Sequence, residues 1–511
     1  MTTTLFGGGR VRTATGTGAQ WVLVEDSTIS AVGTSEAPPA DRTVDLDGAT
    51  LTPAFCDAHV HLPATGLYAQ GMDFRGEHSR ARILDAFSDK ARDPEAILFG
   101  GNFEDPLDQP LAARELDAAV GQRAALLARA DMHSCIASTA LLNELELDDI
   151  DGVDRDENGH PTGYLREHAA AEAWRWFDAH MSPEQQRAAV EAAALRAYSK
   201  GVGSVHEMFV VEWRGWSSLE VFLAAADDLA LNVKTYVATP EVERALELGL
   251  DCVGGDFFLD GSFGTHTAWL QEAYVGEPPS GSSACGTSYR SDEELLEFFT
   301  LAQRAGLQAG VHAIGDAAIE QAIRTWEKVS EAFGVEQVKA VGHRIEHFEC
   351  AKDEHIHRAA RLGLRASVQP AFDAFWGGTE GLYAQRIGEE RALEMNRFAS
   401  MQKAGLIVGA GSDSTVTPLD PFLQMTALRA HHLPEESMSP SAALKTHTLG
   451  SHALARHQDK AGSLAAGMRA DLALLDRDPL EVDPDELLKT EVLGTWIAGE
   501  RVWPQSDAET A

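Results

Sequence analysis

The sequence predicts an α/β fold: a (β/α)8 TIM barrel with an insertion after its first strand, plus a composite β-sandwich formed by both termini. Three observations point there. Strand-like runs alternate with helical ones through the middle of the chain, the pattern of βα units around a parallel sheet. Eight such runs can be counted. Short strands broken by Gly and Pro turns occur at both ends of the chain and not between them.

Taken in order, residues 10–51 form a small β unit with strands over 21–24, 28–32, 43–46 and 50–51. The same texture returns over 470–475 and 494–498, closed by a turn at Gly499 and Glu500 before 501–503. The barrel strands are read as 54–61, then near 203–208, 232–238, 256–259, 309–313, 342–347, 366–369 and 407–412. Helices such as 183–200, 292–305 and 317–333 separate several of them. The interval 62–200 is too long for one βα connection and holds an insertion, with strand-like 96–100 and 124–128 and helices around 82–93 and 111–119. Because it leaves from the end of the first strand, it is expected to roof the active site, which in such barrels lies at the C-terminal ends of the strands. The expected division is 1–53 for the first part of the β-sandwich, 54–459 for the barrel with 62–200 inserted, and 460–511 for the second part.

Composition narrows the function classes. The 511 residues carry 79 acidic against 42 basic side chains, a net charge of −37, so nucleic acid and anionic membrane are not expected partners. Five cysteines lie far apart with no C-x-x-C pair, which argues against a disulfide framework or a thiolate zinc cluster and fits a reducing compartment. No apolar run reaches membrane-spanning length and the first residues lack a basic stretch followed by an apolar one, so a soluble cytoplasmic protein is expected. Oligomeric state stays open, a homodimer being one option.

The chemistry starts at PAFCDAHVH, residues 53–61. Residues i and i+2 of a strand face the same way, so His59 and His61 can offer two imidazoles to one ion. Alone this is a weak hint. His312 ends the fifth strand, His347 the sixth and Asp413 the eighth. Each has a bland reading as a satisfied core histidine or a helix-capping Asp, but together they place four imidazoles and a carboxylate at one barrel mouth.

These stretches, with GHPTGYLRE at 159–167, LDGSFG at 259–264, VHAIGDAA at 311–318, RIEH at 344–347, GSD at 411–413 and GSLAAGMRAD at 462–471, resemble the amidohydrolase superfamily. Within it they are most similar to the amidohydrolase-3 branch, the YtcJ-like proteins that include N-substituted formamide deformylase. The resemblance spans nearly the whole chain. It implies a metal-dependent hydrolase with a barrel and a composite β-sandwich, with ligand roles on His59, His61, His312, His347 and Asp413. Members of this branch usually have a Lys four residues before Asp-Gly-Ser, a candidate for carboxylation and metal bridging, and this chain has Asp256 there. Asp256 is either a metal ligand or a plain structural acid. The favoured reading is one divalent ion, zinc, with a second possible through Asp256 and His347.

A bound divalent ion lowers the pKa of its water toward about 7 and polarises a carbonyl. The expected reaction is therefore hydrolysis of a non-peptide C–N bond in a small amide, N-formyl, N-acyl or cyclic, through a metal-bound hydroxide. Asp413 is the expected general base, returning the proton to the leaving nitrogen. His347, if not a ligand, would stabilise the tetrahedral oxyanion. His206, Asp260, His266, Arg166, Glu167 and Trp376 are candidates for lining the substrate pocket, each with a structural reading of similar weight. Two alternatives remain. A heterocycle aminohydrolase (deaminase) uses the same scaffold, but usually has a Glu three residues after the fifth-strand His, where this chain has Gly315. A non-catalytic metal-binding barrel is conceivable because the Lys is missing, and the retained ligand candidates argue against it.

Overall fold

The computed structural model describes residues 2–14, 18–94, 96–104, 106–130, 133–148, 150–276 and 283–504. Eight parallel strands position the site. β1 (Phe55–Val60), β2 (Val202–Val210) and β3 (Asn232–Ala238) form a three-stranded sheet in the order β3-β2-β1. β4 (Cys252–Val253), β5 (Gln308–Ala313), β6 (Arg344–His347), β7 (Arg365–Val368) and β8 (Ile407–Ala410) form a five-stranded sheet in chain order. One backbone hydrogen bond joins the two sheets at the β3/β4 edge and two at the β8/β1 edge. Gly254 N donates to Val237 O at 2.7 Å, Asp413 N to His59 O at 2.8 Å and His61 N to Ser414 O at 3.0 Å. The arrangement is consistent with a (β/α)8 barrel.

β1, β2, β5, β6 and β7 are buried along their whole length, as expected of parallel strands covered on both faces. The covering helices carry the apolar stripe that buries against the sheet. In helix Asp292–Ala305, Leu295, Phe298, Phe299 and Ala302 recur at helical spacing and are buried; Ser291 and Glu294 form a capping box at its start, and left-handed Gly306 ends it. Phe299 stacks on Trp326 of the next helix, Asp316–Phe333, with centroids 4.0 Å apart. Burying each such side chain contributes about 1.5–3 kcal/mol.

Between β1 and β2, strands Met72–Asp73, Phe99–Phe103, Leu126–Arg129, Ser134–Ala137, Val153–Arg155 and Pro161–Arg166 make a six-stranded sheet with cores of its own. Both chain ends share another six-stranded sheet, in which Thr50–Pro53 pairs antiparallel with Leu472–Leu475 and runs straight toward β1. The N-terminal strands begin earlier than expected, at Thr3–Gly7, where Phe6 packs edge-on against Trp496 at 5.3 Å. Among the described residues no helix is long and apolar enough to cross a membrane.

One strand departs from the sequence reading in a way that matters. The fourth strand was expected over 256–259, but its ladder ends at Val253. Gly254 and Gly255 follow with φ of +83° and +75°, and a Cβ on Gly254 would meet Gly310 O at 2.1 Å. The double glycine therefore turns the chain out of the ladder, and only Phe258 regains a bridge, to His312. Asp256 sits just past that turn.

Candidate metal centre

The ends of β1, β5, β6 and β8 and the turn after β4 bring His59, His61, Asp256, His312, His347 and Asp413 together. Asp256 lies in the middle. Its Oδ2 is 3.3 Å from His59 Nε2 and 3.2 Å from His61 Nε2, while its Oδ1 is 3.7 Å from His312 Nδ1 and 3.5 Å from His347 Nε2. Asp413 Oδ1 is 3.6 Å from His59 Nε2 and 3.2 Å from His61 Nε2. Three overlapping triads, His59/His61/Asp256, His59/His347/Asp413 and Asp256/His312/His347, each hold their ligand atoms within 4.8 Å of one another. His347 and Asp413 take left-handed backbone, with φ of 69° and 51°, strain that the surrounding structure holds in place.

Five buried atoms of this cluster have no hydrogen-bond partner among the described residues: His59 Nε2, Asp256 Oδ1, His312 Nδ1, His347 Nε2 and Asp413 Oδ1. Leaving a buried polar atom unpaired costs about 1–3 kcal/mol. Imidazole nitrogens and carboxylate oxygens that converge in this way suit a divalent cation. The electrostatics agree. Burial pulls His61 down, but Asp256 and Asp413 more than reverse this and push it up to about 10. Burial pushes Asp256 up, and the imidazoles of His59, His312 and His347 overcome it and hold the carboxylate well below its usual range. A proton and a metal ion thus compete for the same atoms.

The far ring nitrogens are tied down from behind, which orients the near ones. His59 Nδ1 meets Glu346 Oε2 at 3.0 Å, His61 Nδ1 meets Met208 O at 2.9 Å and His347 Nδ1 meets Gln369 Oε1 at 2.8 Å. Glu346 is held in turn by a bidentate pair from Arg344, at 2.8 Å on each arm, and both residues are fully buried. Arg344 also donates to Ala58 O at 2.8 Å and lies over the Tyr236 ring. Glu346→Gln leaves the guanidinium without its counter-charge, an expected loss of about 3–5 kcal/mol of stability. Metal affinity should fall by about 10–100-fold as His59 loses its anchor. Denaturant unfolding and metal titration check both, and an unchanged affinity would remove Glu346 from the metal's support.

The cluster opens into a cavity of about 230 Å³. Its walls are largely aromatic: Trp213, Phe258, Phe263, Phe372, Trp376 and Tyr383. Glu104, Arg129 and His133 reach it from the insertion.

Of the pocket candidates, Trp376 lines this cavity and the others are placed elsewhere. β2 continues to Val210, so His206 lies within the strand and not at its end. It is 2 % exposed, with Nδ1 at 2.8 Å from Arg344 Nη1. Asp260 is spent on backbone, accepting from Trp269 N, Gly315 N and Ile314 N at 2.8–3.0 Å. Burial pushes it up to about 7 against those donors. Arg166 is exposed, pairs with Asp154 and lies over Tyr164. His266 rests against Tyr274, 5.1 Å between ring centroids. Glu167, at φ 46°, turns inward beside the cavity, where it pairs with His133 Nδ1 and accepts from Tyr289 Oη, both at 3.1 Å. Phe375, next to Trp376 in the chain, is exposed.

His133, Glu349 and Tyr383 were not singled out from the sequence. Glu349, two residues past His347, accepts from Tyr383 Oη at 2.5 Å, and burial pushes it up to about 7. Its nearness to the RIEH run was the one available signal.

Comparison with known proteins agrees with this geometry. The chain is 27% identical over 532 residues to YtcJ of Bacillus subtilis (strain 168), a protein named as an amidohydrolase, covering 95% of this chain and 96% of that one. It is 25% identical over 531 residues to the N-substituted formamide deformylase of Arthrobacter pascens, covering 94% of each. The crystal structure of an uncharacterised metal-dependent hydrolase from Pyrococcus furiosus superposes with a TM-score of 0.74 at 26% identity, over 94% of this chain and all of that one. A model of the amidohydrolase family matches residues 42–503, and the chain belongs to that family.

Proposed function

We propose that this protein is a metal-dependent hydrolase of a non-peptide C–N bond in a small N-acyl, N-formyl or cyclic amide. One observation carries the reading: buried, unpartnered His and Asp atoms converge at the floor of an aromatic-walled cavity. The names of two relatives, amidohydrolase and formamide deformylase, support the bond class. Asp256, with one oxygen toward His59 and His61 and the other toward His312 and His347, would be a ligand, and its position supports a count of two ions over the single ion first expected. Zinc remains the favoured element. The two sheets are read as one closed barrel between a sandwich of both chain ends, divided near residues 53 and 460.

When bound, the metal lowers the pKa of its water toward about 7 and polarises the substrate carbonyl. Asp413, beside His59 and His61 and lining the cavity, accepts the proton of the attacking water and passes it to the leaving nitrogen. His347, held through Nδ1 by Gln369, turns Nε2 toward Asp256, which favours a ligand role over oxyanion stabilisation. The aromatic walls exclude bulk water and strengthen these interactions. Deamination is disfavoured because Gly315 stands where the proton-shuttling carboxylate would be and donates its N–H to Asp260.

Purified protein is expected to carry divalent metal and to turn over members of an N-formyl and N-acyl amide panel. Chelation should remove the activity and zinc should restore it. Metal-loaded protein that deaminates heterocycles and leaves every amide intact would overturn the assignment.

A further inference from the structure

Glu349 is a carboxylate set in an aromatic wall. It is 4 % exposed yet lines the cavity. Its Oε2 accepts from Tyr383 Oη, and its backbone carbonyl accepts from Asn396 N at 2.9 Å, so it is held in one position. From Tyr383 the rings that line the same cavity run on as a chain: Trp376 to Tyr383 at 6.4 Å, Phe372 to Trp376 at 4.7 Å and Phe263 to Tyr383 at 5.2 Å.

No Lys or Arg pairs with Glu349 among the described residues. Besides the histidines of the metal cluster, the cavity's basic groups are Arg129 and His133 from the insertion, and the His133 ring rests against Trp213 and Phe258. A buried carboxylate served by one hydroxyl keeps unused acceptor capacity, and burying it that way is costly. A protonated amine is the chemical group that fits: it gives a charge-assisted hydrogen bond to the carboxylate and cation–π contact with the rings. The field of the whole molecule acts in the same direction. A net charge of −37 steers cations toward the protein as a whole, and Glu104 adds a second carboxylate to the cavity lining.

We propose that Glu349 and the Phe372, Trp376 and Tyr383 rings form a subsite for an ammonium group on the substrate. The preferred substrates are then amides that carry a second, unacylated amino group. This rests on the amide-hydrolase reading above.

The test compares mono-N-formyl α,ω-diamines of increasing length with N-formyl alkylamines of matched length. In the wild type, kcat/KM should favour the ammonium series by at least about tenfold, the value of one charge-assisted hydrogen bond. In Glu349→Gln, which keeps shape and the Tyr383 contact, the ratio should fall toward unity, mainly through KM. Trp376→Leu, at a half-buried position that tolerates change, should lower the same ratio if Glu349→Gln fails to fold. Binding of free α,ω-alkyldiamines, measured by calorimetry, separates the two proposals. If neither series is hydrolysed, the amide reading fails, and diamine binding lost in Glu349→Gln still supports the subsite. No preference in the wild type, or equal diamine binding by wild type and variant, overturns it.

Discussion

Asp413→Asn is expected to lower kcat by about 10³–10⁴-fold, the upper part of the range for a lost general base, while the protein stays folded. Asparagine keeps the size of the side chain but accepts no proton at neutral pH. It is also the residue best suited to survive there. Asp413 has φ 51°, and apart from glycine, Asn and Asp tolerate that left-handed conformation most readily. The backbone bonds at this corner, Asp413 N to His59 O at 2.8 Å and Val416 N to Asp413 O at 2.7 Å, do not involve the side chain. Circular dichroism and thermal unfolding should therefore match the wild type, with turnover lost on every substrate. Alanine confounds the comparison because it adds backbone strain at a positive φ. Near-normal turnover by the asparagine variant would assign the base to another group.

Most of the eight parallel strands and the identity of the histidines were legible in the sequence because they follow from short local patterns. His59 and His61 share a face by the two-residue repeat of a strand, and His312 and His347 stand at or next to the C-terminal ends of β5 and β6. What escaped depended on where a strand stops. β2 runs on to Val210, which leaves His206 below the mouth, bonded to Arg344. β4 stops at Val253 because Gly254 and Gly255 turn out of it, and that pair was the readable signal for the break. The cavity walls were least legible. Glu349 and Tyr383 are 34 residues apart, in the turn after β6 and a short later helix, and His133 is aligned by Glu167 from the start of the helix Glu167–His180 of the insertion. No local pattern encodes a contact of that kind.

The turn after β4 is also how a short side chain takes the place of a long one. A lysine on the ladder would have to extend toward the histidine cluster, whereas Asp256, carried inward by the two glycines, is already within 3.7 Å of all four imidazoles. On the two-ion reading proposed above, Asp256→Ala should reduce bound metal from two ions per chain to one or none and weaken what remains by at least about 100-fold, since removing a direct ligand costs no less than removing its support. Lysine at 256 cannot rescue the site, because its side chain would overrun the cluster and bring a positive charge among imidazoles. The pH dependence gives a second readout. In metal-free protein His61 is raised from 6.5 to about 10, with Asp256 and Asp413 as the raising groups. Because the folded value is the higher one, the stability it contributes is complete below 6.5 and is lost as pH rises through about 10. Metal binding near neutral pH must displace this proton, so calorimetry in buffers of different ionisation enthalpy should detect proton release. Asp256→Ala leaves only Asp413 to hold the His61 proton, so the release should shrink. Wild-type metal content and proton release in the variant would return Asp256 to the role of a plain structural acid.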